Sequence, residues 1–99
     1  MRLSVHRSRT DPDTLLLDCQ AEVHSFLKTR FVIPLVREVS APKPIPRINP
    51  VVEFKGEPYV ILTNLAATMP AAEAGESIGN LVEEHYIVTR AIDALLSGF

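Results

Sequence analysis

Three histidines, one cysteine and a short acidic run are the residues of this 99-residue chain with obvious chemistry to offer. His6, His24 and His85 stand far apart, and none lies at metal-ligand spacing from another histidine or from Cys19. His85 falls near the apolar side of a helical pattern, where a core or interface histidine is expected rather than a ligand. Asp11, Asp13, Asp18 and Glu22 could bring hard oxygen ligands to a divalent ion, but Asp11-Pro12-Asp13 reads as turn chemistry. Cys19 with a distant histidine could make a thiol nucleophile. Set among leucines, it reads instead as a buried, inert thiol. The glycines at 56, 75, 79 and 98 are scattered, so no phosphate-cradling loop is present. Ser97-Gly98 is no nucleophile elbow, because no strand precedes it. Arg2, Arg7, Arg9, Lys28, Arg30 and Arg37 are spread through the first half, as solvated charge or as a face for nucleic acid or an acidic partner. No catalytic set, metal site or cofactor is expected, which points to a binding protein and not an enzyme.

The elements that would carry these residues follow from periodicity. Leu3 and Val5 in residues 2–6 have the period-two pattern of a half-buried strand. After the turn "RSRTDPDT", the run "LLLDCQAEV" is a second strand, with Leu15, Leu17, Cys19 and Ala21 on one face and Leu16, Asp18, Gln20 and Glu22 on the other. Residues 30–39, "RFVIPLVREV", make a third. Pro34 cannot donate to a ladder there, so it must lie on an edge, at a bulge, or with its nitrogen turned outward. Residues 40–50 carry Pro42, Pro44, Pro46 and Pro50, which exclude a helix and predict an exposed, mobile arm. Residues 50–63 read as a hairpin turning at Lys55-Gly56-Glu57, with positive φ at Gly56. Short strands are expected at Ala67–Met69 and Glu73–Ile78. From Asn80 the period becomes 3.6, with Asn80 as N-cap and Glu83 in capping-box position. Val88, Ile92, Leu95, Leu96 and Phe99 define the apolar face of this helix, with Ile87 and Ala91 at its margin. Strands first and one helix last give a β-rich α+β class in one domain, 1–99. A net charge of −2 is poor for a lone nucleic-acid binder. The single cysteine, the absence of a signal-like start and the lack of a membrane-length apolar run predict a cytoplasmic protein.

With the elements in place, "RFVIPLV", "NPVVEFKGEPYVILT" and "NLVEEHYIVTRAIDALLSGF" resemble the CcdB toxin family over nearly the whole chain, as does "LLLDCQ" in the second strand. That resemblance implies a curled antiparallel sheet, an SH3-like half-barrel, carrying one long C-terminal helix. It implies a homodimer that binds the DNA gyrase A subunit and traps the cleaved DNA complex. It also implies a CcdA-type antitoxin whose disordered acidic segment wraps the dimer, the two together repressing their operon, with operator DNA bound only in that pairing. By position, the gyrase-binding residues become Ser97, Gly98 and Phe99 at the tail, Arg90 and Asp93 on the polar side of the helix, and Val23 and His24 after the second strand. The family's tail is Trp-Gly-Ile. Here the glycine is kept and Phe99 is large and apolar, but Ser97 replaces the tryptophan. Three readings follow: a gyrase poison, a relative with weak or no gyrase poisoning that acts through antitoxin binding or on another target, and a small nuclease, which some toxins with related barrels are.

Overall fold

In the computed structural model, which describes residues 2–98, the leucine- and valine-rich runs form seven strands: β1 (Ser4–Ser8), β2 (Leu15–Asp18), β3 (Thr29–Arg37), β4 (Val51–Phe54), β5 (Glu57–Ile61), β6 (Ala67–Pro70) and β7 (Ala74–Asn80). One helix, α1 (His85–Ser97), follows. All pairings are antiparallel, in the order β4-β5-β3-β2-β1-β7, with β6 added beside β3. Alternation brings Val5, Leu15, Leu17, Ile33, Leu35, Val52, Phe54, Tyr59 and Ile61 to the concave side, where they form one buried cluster with Leu3, Cys19, Leu81 and Val88. The sheet curls far enough for its two end strands to meet without pairing. A Cβ on Gly79 in β7 would lie 2.8 Å from the Phe54 ring of β4, so the seam closes through a side chain packed on bare backbone. This is the curled half-barrel of an α+β fold.

β3 is the spine of the sheet, and its proline is placed accordingly. One edge of β3 pairs continuously with β2, Leu16 lying opposite Pro34. The other edge pairs first with β6, at Thr29–Val32, and then with β5, at Leu35–Arg37. The Pro34 carbonyl accepts from the Leu62 amide on that second edge, so its nitrogen also faces the gap between β6 and β5. Of the three expected positions, the nitrogen turned away from a ladder is the one adopted. The hairpin turns at Lys55 (φ +52) and Gly56 (φ +81), the double positive φ of a type I′ connection.

β1 begins at Ser4 and not at Arg2, because Leu3 adopts φ +62 and turns the chain into the strand. β2 stops at Asp18, so Ala21 leaves the core face and is exposed. Leu16 and Asp18, on the opposite face, are also buried. The proline arm is irregular as expected, but it is anchored. Asn49 is 7% exposed; its Oδ1 accepts from the Ile45 amide, and its Nδ2 donates to the carbonyl of Ile61 and to Asn64 Oδ1.

The helix begins later than its periodicity predicts. Asn80 is still in β7, opposite Ser4. Its side chain accepts from the Val82 amide and starts a 3₁₀ turn at Val82–Glu84, and the capping box with Glu83 does not form. Buried Leu81, whose amide donates to the Leu3 carbonyl, fixes that junction. The buried face of α1 is Val88, Ala91 and Ala94, with Ile92 packed against the core at its edge. Leu95 and Leu96, placed on the core face by the pattern, are 41% and 76% exposed. α1 meets the rest of the fold chiefly at the 3₁₀ turn Thr63–Leu65 and at its own entry turn, and the leucines lie on its outer side. No helix among the described residues is long and apolar enough to cross a membrane.

Candidate functional site

The chemistry-bearing residues separate cleanly once placed. His85 is exposed, not core; its Nδ1 lies 3.2 Å from the Val82 carbonyl, and its ring tilts against Tyr86 at 4.6 Å. Cys19 is buried, and desolvation pushes its thiol up to about 12, which keeps it protonated and unreactive. Asp11 serves the turn: it accepts from the Thr14 hydroxyl at 2.7 Å and from the Asp13 amide at 3.0 Å, which hold its carboxyl below the usual range. Asp18 is occupied by Arg30, with Nη2 at 2.7 Å and Nε at 2.9 Å from Oδ2, and by the Gln20 amide at 3.0 Å from Oδ1. Asp11 and Asp18 are thus committed to turn and ion-pair geometry and Glu22 to the Arg2 amide, while Asp13 gives its amide to Asp11 and lines the cavity at the barrel mouth.

The helix positions place Arg90 and Asp93 on the exposed side of α1, where they line a groove of ≈ 460 Å³ with Ile87, Ala91 and Ala94. The opposite wall is the proline arm, through Arg47 and Pro50. Arg47, held at φ +70, was not singled out by the sequence, since a lone arginine in a proline-rich segment carries no pattern. Ser97 ends α1 exposed, and Gly98 closes it at φ +78 with its amide donating to the Ala94 carbonyl. Glycine suits this left-handed position because it has no Cβ to strain. Phe99 lies outside the described residues. The helix end therefore presents a polar groove wall, two outward leucines and a left-handed stop.

Val23 and His24 sit elsewhere, on a 3₁₀ turn (Glu22–His24) in the β2–β3 connection, and do not line that groove. Both are exposed, Val23 at 73%. A third region, the mouth of the barrel, gathers two of the dispersed cations, Arg7 and Arg37, which with Lys55 of the hairpin turn line a cavity of ≈ 540 Å³ beside Leu15, Phe54 and Tyr59. Two of the three are already matched, Arg37 with Glu57 and Arg7 with Glu76, both at 3.2 Å. Tyr59, and then Glu57, hold the Arg37 guanidinium above its ordinary pKa.

The described residues thus form a curled antiparallel half-barrel with one C-terminal helix, a small-barrel α+β fold. The family profile described as CcdB protein matches residues 2–98, and the chain belongs to the CcdB family, toxins of toxin–antitoxin systems. No curated protein sequence matches it. Among solved structures it is similar to the Mycobacterium tuberculosis toxin MazF-mt6, with a TM-score of 0.76 and 19% identity over 94% of this chain and 95% of that one. At that identity the likeness is one of fold.

Proposed function

We propose that this protein, a single domain over residues 1–99, is the toxin component of a type II toxin–antitoxin system that binds the DNA gyrase A subunit and traps the cleaved DNA complex. The observation that carries the reading is the CcdB family match over residues 2–98. The exposed end of α1 supports it, because Leu95, Leu96, Arg90, Asp93 and Ser97 are free to meet a partner. The proposed contact set is Arg90, Asp93, Ser97, Gly98 and Phe99 at the helix end, with Val23 and His24. A CcdA-type antitoxin neutralises the toxin and joins it in repressing the operon, operator DNA being bound only by the pair. The toxin acts in the cytoplasm as a homodimer, whose second copy covers apolar surface left on α1. It works by binding, without a catalytic residue or cofactor.

Ser97 favours a second reading, a family member with weak gyrase poisoning that acts mainly through antitoxin binding or on another target. A buried aromatic at the centre of an interface contributes roughly 2–4 kcal/mol, or about thirty- to a thousandfold in affinity. A nuclease is the third and least supported reading. The test is accumulation of cleaved DNA with purified gyrase and wild-type protein, beside a variant lacking Ser97–Phe99 and the Ser97→Trp variant. Trapped complex that is lost on truncation and increased by Ser97→Trp supports the first reading. Absence of trapping at any concentration, with retained antitoxin binding, selects the second. DNA or RNA cleavage without gyrase would select the third.

A further inference from the structure

The arm between β3 and β4 carries a pattern that the proposed function does not use. Its first part is Ala41-Pro42-Lys43-Pro44-Ile45-Pro46, three X-Pro steps in succession. Each proline fixes its own φ at roughly −65° and drives the residue before it into extended or polyproline II backbone. Ala41 shows the outcome, at φ −79 and ψ 150. A polyproline II segment makes no internal hydrogen bonds and leaves its backbone to solvent. Among the described residues, the Lys43 amide and the carbonyls of Pro42, Lys43 and Pro44 bond to no other protein group. The segment is nevertheless clamped at both ends. The Ala41 amide donates to the Glu38 carbonyl and closes a 3₁₀ turn. The Ile45 amide donates to Oδ1 of buried Asn49 at 2.9 Å, and the Ile45 carbonyl accepts from the Ile48 and Asn49 amides. Residues 42–47 between the clamps and the turn are exposed.

We propose that residues 41–46 are a preformed polyproline II ligand that docks in an aromatic-lined, acid-rimmed groove of a partner protein. The proposal stands apart from the gyrase reading. With three residues per turn, Pro42 and Ile45 share one edge, Ala41 and Pro44 the next, and Lys43 and Pro46 the third. Ile45 is 45% exposed, so the first edge offers apolar surface to a partner. Three features set the chemistry of the groove. Proline-rich edges of this kind are received by aromatic side chains, the recognition mode of proline-rich segments. The unused carbonyls call for hydrogen-bond donors, which tryptophan and tyrosine in such a groove supply. Lys43 and Arg47 join no ion pair among the described residues, so a carboxylate rim complements them. Two cations are too few to hold nucleic acid, whose binding grows with each phosphate neutralised. The clamped ends mean that little backbone freedom is lost on docking.

The test is NMR titration of the isotope-labelled full chain with three polyproline readers, an SH3, a WW and an EVH1 domain. The expected result is that at least one reader shifts the Ala41, Lys43 and Ile45 amides to saturation, and that the same reader fails once its groove aromatic is replaced by alanine. Pro42→Ala, Pro44→Ala and Pro46→Ala together should weaken that binding roughly tenfold to a hundredfold, through the freedom returned to the unbound segment. Lys43→Glu changes an exposed side chain outside the clamps, keeps the fold, and should weaken binding about threefold or more. It decides the matter if the triple variant does not fold. The proposal is overturned if no reader shifts these amides at millimolar concentration, or if binding survives both sets of substitutions. It is equally overturned if duplex DNA saturates the same amides at lower concentration than any reader.

Discussion

The Asp18–Arg30 pair holds the base of the β2–β3 connection, and its removal gives the largest effect to expect from one side chain. The Asp18 side chain is 7% exposed and that of Arg30 13%. Both guanidinium nitrogens in contact with Asp18 reach the same oxygen, while the other oxygen accepts from the Gln20 amide. Asp18→Ala leaves a guanidinium in a mostly buried setting without its counter-charge and the Gln20 amide without its acceptor. Breaking a buried pair in this way costs about 3–5 kcal/mol. A domain of this size has roughly 5–15 kcal/mol in total, so the variant stands near the edge of folding at 37 °C.

Urea denaturation measures the effect. With m about 1–1.5 kcal/mol/M, a loss of that size lowers the midpoint by roughly 2–5 M. The double variant Asp18→Leu with Arg30→Met should regain most of the loss, since apolar replacement of both partners removes the stranded charge. What it fails to regain is the share of the Gln20 amide, about 1 kcal/mol. A loss under 1 kcal/mol in Asp18→Ala would place the pair among solvent-screened surface bridges and refute the burial argument. The same variant should also expose the Ala21–Lys28 amides to hydrogen exchange before the barrel strands.

Gly79→Ala should lose about 1–3 kcal/mol through overpacking, because its Cβ would sit 2.8 Å from the Phe54 ring; Phe54→Leu in the same chain should relieve part of it, as read by thermal midpoint. Burial raises the Cys19 thiol from 9.0 to about 12, so the unfolded chain ionises first: its contribution is complete below pH 9 and is lost as pH rises toward 12, a fall of about 1.4 kcal/mol by pH 10 that urea midpoints at pH 8 and 10 would detect. Deleting Ser97–Phe99 should leave the stability measured by urea denaturation within about 0.5 kcal/mol, since Ser97 and Gly98 are exposed; unfolding of the truncated chain would show the tail to be core. Light scattering at tens of micromolar should give a dimer mass, and a clean monomer would refute the homodimer.

Strands were legible wherever alternation met one buried face. β3 and the β4–β5 hairpin lie within about two residues of their expected ranges, because Leu, Val, Ile and Phe at period two leave one register that buries them, whereas β2 ends at Asp18 and not at Val23. The two short strands expected at Ala67–Met69 and Glu73–Ile78 form within two residues of those ranges as β6 and β7; Gly75 and Gly79 carry no pattern, and their role is set by what presses on them. A Cβ on Gly75 would lie 2.7 Å from the Arg7 carbonyl. That requirement belongs to the pairing of β7 with β1, sixty-odd residues away in sequence, and no local window contains it.

The helix shows the opposite failure, a strong local pattern overruled by contacts elsewhere. Asn80 and Glu83 meet the capping-box rule, yet Asn80 completes the β1–β7 ladder and Leu81 is drawn into the core beside Leu3. The start of the helix moves to His85, and His85 moves with it into solvent. The apolar arc read from the sequence was wide enough for either Val88-Ala91-Ala94 or Val88-Ile92-Leu95 to face the sheet. Periodicity alone does not choose between them; the fold turns Val88, Ala91 and Ala94 inward. Leu95 and Leu96 are exposed as a direct result, so the same choice that seats the helix also creates its free apolar end. The exposed groups of the β2–β3 connection arise differently, from a turn whose backbone is satisfied internally and whose side chains are left with nothing to cover them. Two surfaces with separate physical origins are therefore available to a partner. The Ser97–Phe99 deletion shortens the first but keeps Leu95 and Leu96, and it leaves the β2–β3 connection as it was.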